Sequence, residues 1–418
     1  MSKHTALKFT PLAIVLILLL LVLNVSCKTS KSSANKATHW VGTWYTATQL
    51  VERNNMPPAP GLQGNTLRQV VRVSIGGALI RVKVSNAFSK DPVTFKSIHV
   101  AVSNGGSAID AKTNKKLTFN GSTAITLEPG SMLWSDPIPF HVDNRMDVAL
   151  TICYDQQSQT ITGHPGSRTT SYIIEGNNPE NNDFTKAVTT EHWYNINAID
   201  VMAPTATRAV AILGNSITDG RGSTTDAQNR WPDVFSERLL RNNSTDNVAV
   251  LNAGIGGNCV LRGGLGPTGN DRFEKDILEQ SGIKWAIIYI GVNDLGGVRS
   301  AESSRSVQNA LIESYKKMVD LAHEKKILIY GATIMPFKGN GYYNVNSEAA
   351  RVFVNEWIRK SNYFDGVIDL EKSLQNPQDT SAMLSTLIYQ NDYLHPNAEG
   401  HKRMGDFIDL NLFINKLN

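Results

Sequence analysis

The sequence predicts an α/β protein in two parts: an antiparallel β-sandwich, then a domain built on a parallel sheet covered by helices on both faces. Three observations carry this. The chain has 418 residues, long for one ordinary domain. From His39 to about Ala203 its hydrophobic residues recur with a period of two. Beyond Ala203 the rhythm changes to continuous apolar runs separated by helix-like stretches.

In the first part Val71, Val73 and Ile75 alternate with Arg72 and Ser74, and Ile80, Val82 and Val84 alternate with Arg81 and Lys83. Gly76-Gly77 between them reads as a hairpin turn. Val148, Leu150, Ile152 and Tyr154 repeat the pattern, and Asn104-Gly105-Gly106, Asn120-Gly121 and Pro129-Gly130 separate short runs. A jelly-roll-like sandwich over residues 39–203 is the expectation. In the second part, residues 204–418, the apolar runs are Ala209 to Leu213, Val248 to Leu251, Trp285 to Ile290, Ile327 to Tyr330 and Val367 to Leu370. Helices are expected around Trp231 to Arg241, Arg272 to Gln280, Ser304 to Lys325, Ser347 to Lys360 and Ala398 to Phe413. Ligands of such sheets bind at the carboxyl ends of the strands.

The N-terminus stands apart. Lys3, His4 and Lys8 precede an apolar run from Leu12 to Leu23, too short for a membrane span and suited to a secretory leader. It ends at Asn24-Val25-Ser26-Cys27, which resembles a bacterial lipoprotein signal, although Asn24 stands where leucine is usual. The expectation is a leader over residues 1–27, acylation at Cys27, a Ser/Lys-rich tether over 28–38, and a membrane-anchored protein on the periplasmic side of a Gram-negative cell. Cleavage nearby by an ordinary peptidase would leave Cys27 a spare thiol.

Hydrophobic residues make up 41% and the formal net charge is +4, as expected of a soluble globular chain. Without a long basic run or an aromatic-basic stripe, nucleic acid is not an expected partner. Cys153 and Cys259 are expected to be buried, unpaired thiols, with an interdomain bridge in an oxidising periplasm the alternative, and no Cys/His spacing suggests a metal or other cofactor.

Four segments follow the apolar runs in an order that suggests chemistry. Ser216, in Gly214-Asn215-Ser216, sits on a turn after the first run and can act as a nucleophile if a base adjoins it. His395, in Asp392-Tyr393-Leu394-His395-Pro396, is a candidate base, with Asp392 placed to fix its tautomer. Gly254-Ile255-Gly256-Gly257 frees backbone N–H groups, and Asn293 offers a side-chain amide, both suited to a developing oxyanion. Such donors contribute about 10²–10³ in rate each. Each segment alone is an ordinary turn; their conjunction at successive strand ends is not.

That ordered set resembles the SGNH (GDSL-type) hydrolase superfamily, in particular a secreted bacterial branch with an N-terminal β-domain. Gly214 to Asp233, with Thr218-Asp219-Gly220 and Arg230-Trp231-Pro232-Asp233, is similar to that branch, as are Thr66-Leu67-Arg68-Gln69 and Ser85-Asn86-Ala87-Phe88. The resemblance implies a flavodoxin-like α/β/α sandwich and a triad of Ser216, Asp392 and His395. It also implies oxyanion donors from the Ser216 N–H, the Gly257 N–H and the Asn293 amide. Asn215 departs from the aspartate usual there; it can still accept a hydrogen bond within the turn. Residue 218 is threonine, so no Gly-x-Ser-x-Gly elbow surrounds Ser216.

For substrate, the glycine-rich stretch Arg262 to Pro267 suggests a wide, wet rim. An acylated polysaccharide losing acetyl or other small acyl groups is the leading expectation. A lysophospholipase or short-chain lipase is the nearest alternative, and a catalytically silent glycan-binding lipoprotein the alternative from another class. Asn215, Asp219, Trp231 and His164 are candidate substrate contacts, and Trp134 could serve a sugar site.

Overall fold

Residues 1–2 and 37–414 are described in the computed structural model. The expected leader beyond Ser2, the acylation site Cys27, and residues 28–36 of the tether lie outside the described residues. Among those described, no helix is long and apolar enough to cross a membrane.

The period-two region forms two large antiparallel sheets and a small three-stranded one, Trp193–Tyr194, Thr162–His164, Gln49–Leu50. One large sheet runs Thr38–Tyr45, Ile196–Pro204, Gly77–Ser85, Ile138–Val142 in spatial order. The other runs Val188–Thr190, Ser171–Ile174, Thr66–Arg72, Asp147–Gln156, Val93–Gly105. The alternation sorts the side chains: Leu67, Val71, Ile80, Val82, Val84, Leu150 and Ile152 are all buried in one hydrophobic cluster. Each such side chain contributes about 1.5–3 kcal/mol by leaving water. Trp134 lies against the Arg81 and Lys83 cations, 4.2 and 4.9 Å from its ring centroid, so its face is already occupied rather than open to a sugar.

The expected hairpin at Gly76-Gly77 does not form. Thr66–Arg72 and Gly77–Ser85 belong to different sheets, and the chain between them crosses from one to the other. Val73 donates to the Met146 carbonyl and Ser74 to the Thr43 carbonyl, so the crossing is hydrogen-bonded throughout. A Cβ on Gly76 would stand 2.4 Å from the Val142 carbonyl oxygen; close backbone approach is what requires glycine there. Periodicity identifies a strand but does not assign its partner.

The second region contains a five-stranded parallel sheet: β1 (Arg208–Gly214), β2 (Val248–Gly254), β3 (Ile283–Tyr289), β4 (Leu328–Ala332) and β5 (Gly366–Ile368). Their spatial order is β2-β1-β3-β4-β5, the doubly wound flavodoxin-like order, with its switch point between β1 and β3. Helices Trp231–Arg241, Ala301–Glu324, Val345–Lys360 and Ala398–Phe407 fall where the sequence places them. The last is shorter than expected. Ile408 is extended, and Asp409 caps a separate 3-10 turn at Leu410–Phe413.

The two regions belong to one compact unit, Thr38–Asn418, and share one core. Gly42 packs so closely on β2 that a Cβ there would lie 2.8 Å from Leu251. The Val250 N–H of β2 donates to Ser74 Oγ (3.2 Å), and Tyr45 Oη donates to Asp276 (2.8 Å). Cys153 and Cys259 are both buried and free, as expected.

Candidate active site

β1 ends at Gly214, where a Cβ would collide with Thr218 Oγ1 at 2.2 Å. This glycine lets the chain turn at once into the short helix Ser216–Asp219. Asn215 caps that helix: its Oδ1 accepts from the Ile217 N–H at 3.0 Å. Only 2% of Asn215 is exposed, so it is a turn residue and not the substrate contact considered from sequence. Glycine is also required at Gly254, at the end of β2, where a Cβ would stand 2.3 Å from the Asp219 nitrogen.

Across the strand ends, Ser216 Oγ lies 2.7 Å from His395 Nε2. His395 Nδ1 lies 2.7 Å from Asp392 Oδ2, while Asp392 Oδ1 accepts from the backbone N–H groups of Leu394 and His395, each at 2.9 Å. The three residues singled out from sequence are therefore one hydrogen-bonded chain, although 179 positions separate Ser216 from His395. Burial lowers the His395 pKa below its ordinary value, and Arg221 and Arg168 depress it further, outweighing the opposing effect of Asp392. Burial opposes charge on Asp392. The two backbone donors and the imidazole prevail, and its carboxyl stays below the usual range. A neutral imidazole with Nδ1–H on a carboxylate leaves Nε2 free to accept a proton from Ser216.

The loop holding the base is braced locally. Asn340 Nδ2 donates to the Asp392 carbonyl at 2.7 Å, Tyr389 N–H donates to the His395 carbonyl at 2.9 Å, and Tyr393 sits at φ +55°. Tyr342, two residues after Asn340, reaches the other side of the site: its hydroxyl donates to Asn293 Oδ1 at 3.3 Å. Asn293 Nδ2 donates to the Asn258 carbonyl at 2.9 Å, which fixes the amide and leaves its second N–H available. Asn293 lies in the short helix Val292–Leu295 that follows β3, across the switch point from Ser216. Gly257 has φ +67° and is exposed, and its N–H makes no hydrogen bond within the described residues. The Ser216 N–H opens its helix and so has no intrahelical partner.

Two further residues suggested from sequence serve one another instead of substrate. His164 Nε2 and Asp219 Oδ1 are 2.8 Å apart, with side chains 6% and 1% exposed, and His164 Nδ1 meets the Ala47 carbonyl at 2.8 Å. Burial opposes charge on Asp219; His164, Arg168 and Arg230 nonetheless keep its carboxyl below the usual range. The pair ties the helix carrying Ser216 to the antiparallel region. Trp231 is wholly buried in the core, with an N-terminal helix position whose N–H faces His401 Nδ1 at 3.3 Å; it cannot touch substrate.

Sequence reasoning missed Arg272. Buried to 3% exposure, it donates to the carbonyls of Gly214 (2.8 Å) and Ala253 (2.7 Å), to Asn258 Oδ1 (3.0 Å) and to Asp276 (3.1 Å). One guanidinium thus clamps the strand ends bearing Ser216 and the glycine block. An arginine in the short helix Gly269–Phe273 carries no local sign of this. Asp294 is similar: its carboxylate accepts from the Val260 and Leu261 N–H groups, both at 2.9 Å, and shapes the loop after Gly257.

Residues 212–403 match the GDSL-like lipase/acylhydrolase family. Among solved structures the chain is similar to a GDSL-like lipase from Bacteroides thetaiotaomicron, at 17% identity over 50% of this chain and 89% of that one, with a TM-score of 0.35. It is also similar to a catalytic mutant of an acetylxylan esterase from Geobacillus stearothermophilus (17% identity, 48% and 91% coverage, TM-score 0.37). A third is a psychrotrophic esterase from Pseudoalteromonas (16% identity, 48% and 93% coverage, TM-score 0.34). No curated protein matches the chain.

Proposed function

Residues 212–403 belong to the GDSL-like lipase/acylhydrolase family and the chain is an ester hydrolase of that type; from this premise we propose that it removes acetyl or other small acyl groups from glycans, with Ser216 as nucleophile. The observation that carries the catalytic assignment is the unbroken chain Ser216 Oγ, His395, Asp392, with both links at 2.7 Å.

In this reading Ser216 Oγ attacks the ester carbonyl carbon while its proton passes to His395 Nε2. Asp392 accepts from Nδ1–H throughout and stabilises the imidazolium. The negative charge formed on the carbonyl oxygen is met by the N–H groups of Ser216 and Gly257 and the free N–H of Asn293. Collapse breaks the bond to the alcohol, which leaves with the proton from Nε2. Water then enters, gives its proton to His395 and attacks the acyl-serine, releasing the acid and restoring Ser216.

A glycan substrate is supported by the rim. Arg262, Gly263, Gly264 and Leu265 are exposed, and nothing approaches a Cβ placed on Gly263 or Gly264 within 4 Å, so the loop beside the glycine block stands open. A short-chain lipase keeps one observation in its favour. A groove of about 290 Å³, lined by Leu50, Val51, Phe88, Leu265 and Pro267 among others, abuts Gly257 through Leu265. Acyl-chain preference decides between them. Small-acyl specificity gives a maximum in kcat/KM at acetate or propionate esters. Use of the groove gives a maximum at octanoate or beyond, since each buried methylene adds about 0.8 kcal/mol. Export and anchoring at Cys27, on the periplasmic side, complete the proposal. They rest on the sequence Asn24-Val25-Ser26-Cys27, and metabolic labelling with a fatty-acid analogue, lost in Cys27→Ala, tests them.

A further inference from the structure

Three guanidiniums stand beside the Ser216 site, and each is attached to a different part of it. Arg221 follows the nucleophile helix, and its backbone N–H donates to the Ser216 carbonyl at 2.9 Å. Its side chain is exposed against Tyr389, 5.9 Å from the ring centroid, and Tyr389 is itself bonded through its N–H to the His395 carbonyl. Arg168 arrives from the antiparallel region and contacts Asp219 at 3.2 Å. Its Nε is buried and has no hydrogen-bond partner. Arg262 lies on the glycine-rich loop and donates to the Asn293 carbonyl at 2.7 Å. Among the described residues neither Arg221 nor Arg262 forms an ion pair.

The carboxylates nearby are already engaged. Asp219 is 1% exposed and shared between His164 and Arg168. Asp392 is bound to His395. Asp294 is buried on two backbone N–H groups, and Asp226 is held by the Thr170 N–H and hydroxyl. The rim therefore presents the Arg221 and Arg262 guanidiniums without an ion-paired carboxylate, beside an Arg168 whose charge is shared with Asp219. The depressed His395 pKa, to which both Arg221 and Arg168 contribute, agrees with that placement.

We propose that Arg221, Arg168 and Arg262 bind carboxylates on the alcohol portion of the ester, so that the preferred substrate is an acylated acidic glycan, such as a polymer of uronic acid units. This rests on the esterase reading above. An acetyl group carries no charge, so an anionic partner for these arginines belongs to the alcohol side. The guanidinium fork matches a carboxylate with two parallel hydrogen bonds. Their distribution over three separate elements suits repeated charges along a chain better than one phosphate in a cradle.

The experiment compares kcat/KM for acetylated polygalacturonate, an acetylated neutral mannan, a lysophospholipid and 4-nitrophenyl acetate, at low and high salt, on the full protein and on Arg221→Gln and Arg221→Lys. The acidic polymer should be preferred over the neutral one by about tenfold or more, a preference that salt removes by screening. Arg221→Gln should raise KM for the acidic polymer about tenfold, the size of one lost charge-assisted contact. It should also move the acid limb of 4-nitrophenyl acetate hydrolysis to higher pH, because a positive neighbour of His395 is gone. Arg221→Lys should recover part of the KM. Equal use of the two polymers with no salt dependence, while 4-nitrophenyl acetate is still cleaved, overturns this proposal and leaves the esterase reading standing. So does a preference for the lysophospholipid over both. Failure of the wild-type protein to cleave 4-nitrophenyl acetate overturns both readings.

Discussion

Ser216 and His395, the proposed nucleophile and base, are held in place by different means. The helix carrying Ser216 is fastened from outside its own region: His164 and Arg168, both in the antiparallel half, meet Asp219 one turn after the serine. The loop carrying His395 is fastened from within the parallel-sheet half, by the Asp392 turn and by Asn340. The β-region is thus part of the machinery that positions the serine, whereas the histidine needs only its own neighbourhood. The two fastenings therefore have separable consequences.

The comparison is most sharply broken at the residues both fastenings serve. Ser216→Ala and His395→Ala should each cost several orders of magnitude in kcat for an aryl acetate with the fold retained, because nucleophile and base act as a unit. Substantial activity in either folded variant would make both fastenings irrelevant to chemistry. Asn293→Ala should lower kcat by about 10²–10³ with little change in KM, the pattern of a donor engaged in the transition state. A change confined to KM would make it a substrate contact.

His164→Ala removes the outside fastening. It leaves the buried Asp219 carboxylate with less compensation and should destabilise the protein by about 3 kcal/mol, read as a lower midpoint of chemical unfolding. kcat should fall too. Asn340→Ala removes a local brace and should be milder, costing about 2 kcal/mol through two lost hydrogen bonds, one to the Asp392 carbonyl and one from the Tyr342 N–H. If Asn340→Ala proved the more damaging of the two, the contrast between the fastenings would be reversed.

Two further effects depend on pH. Only the neutral form of His395 can accept the serine proton, so the acid limb of kcat/KM should have its midpoint below 6.5, given the lowered pKa. His401 gives a separate stability signal. Burial pushes it down to about 4, and it is held neutral between the Trp231 N–H and the Arg221 carbonyl. The unfolded chain binds the proton first as pH falls, so stability should be lost between about 6.5 and about 4, by roughly 3 kcal/mol in all. His401→Gln should flatten that part of the curve in unfolding measurements across this range.

The parallel-sheet half is legible because its strands are buried on both faces and its reactive residues follow them in order. β1 to β5 and the Ser216, His395, Asp392 set could be read from apolar runs and their flanks. In the antiparallel half, period two gives the strands but not their partners, so Gly76-Gly77 reads as a hairpin when it is a crossing between sheets. Trp231, Asp219 and His164 lie in polar stretches that look like site residues. Their burial depends on contacts such as the 55-residue separation between His164 and Asp219, for which local sequence holds no signal. Arg272, Asn340 and Tyr342 were illegible for the same reason: each acts on a backbone or amide group brought near only by folding.

The central claim is that Ser216 is the residue acylated in turnover, activated by His395. Incubation with an organophosphonate ester, followed by proteolysis and mass spectrometry, tests it directly. The account predicts one adduct, on the peptide containing Ser216, formed far more slowly in His395→Ala and absent in Ser216→Ala. Inactivation with the adduct on another residue, or labelling of Ser216 at the same rate without His395, would contradict it.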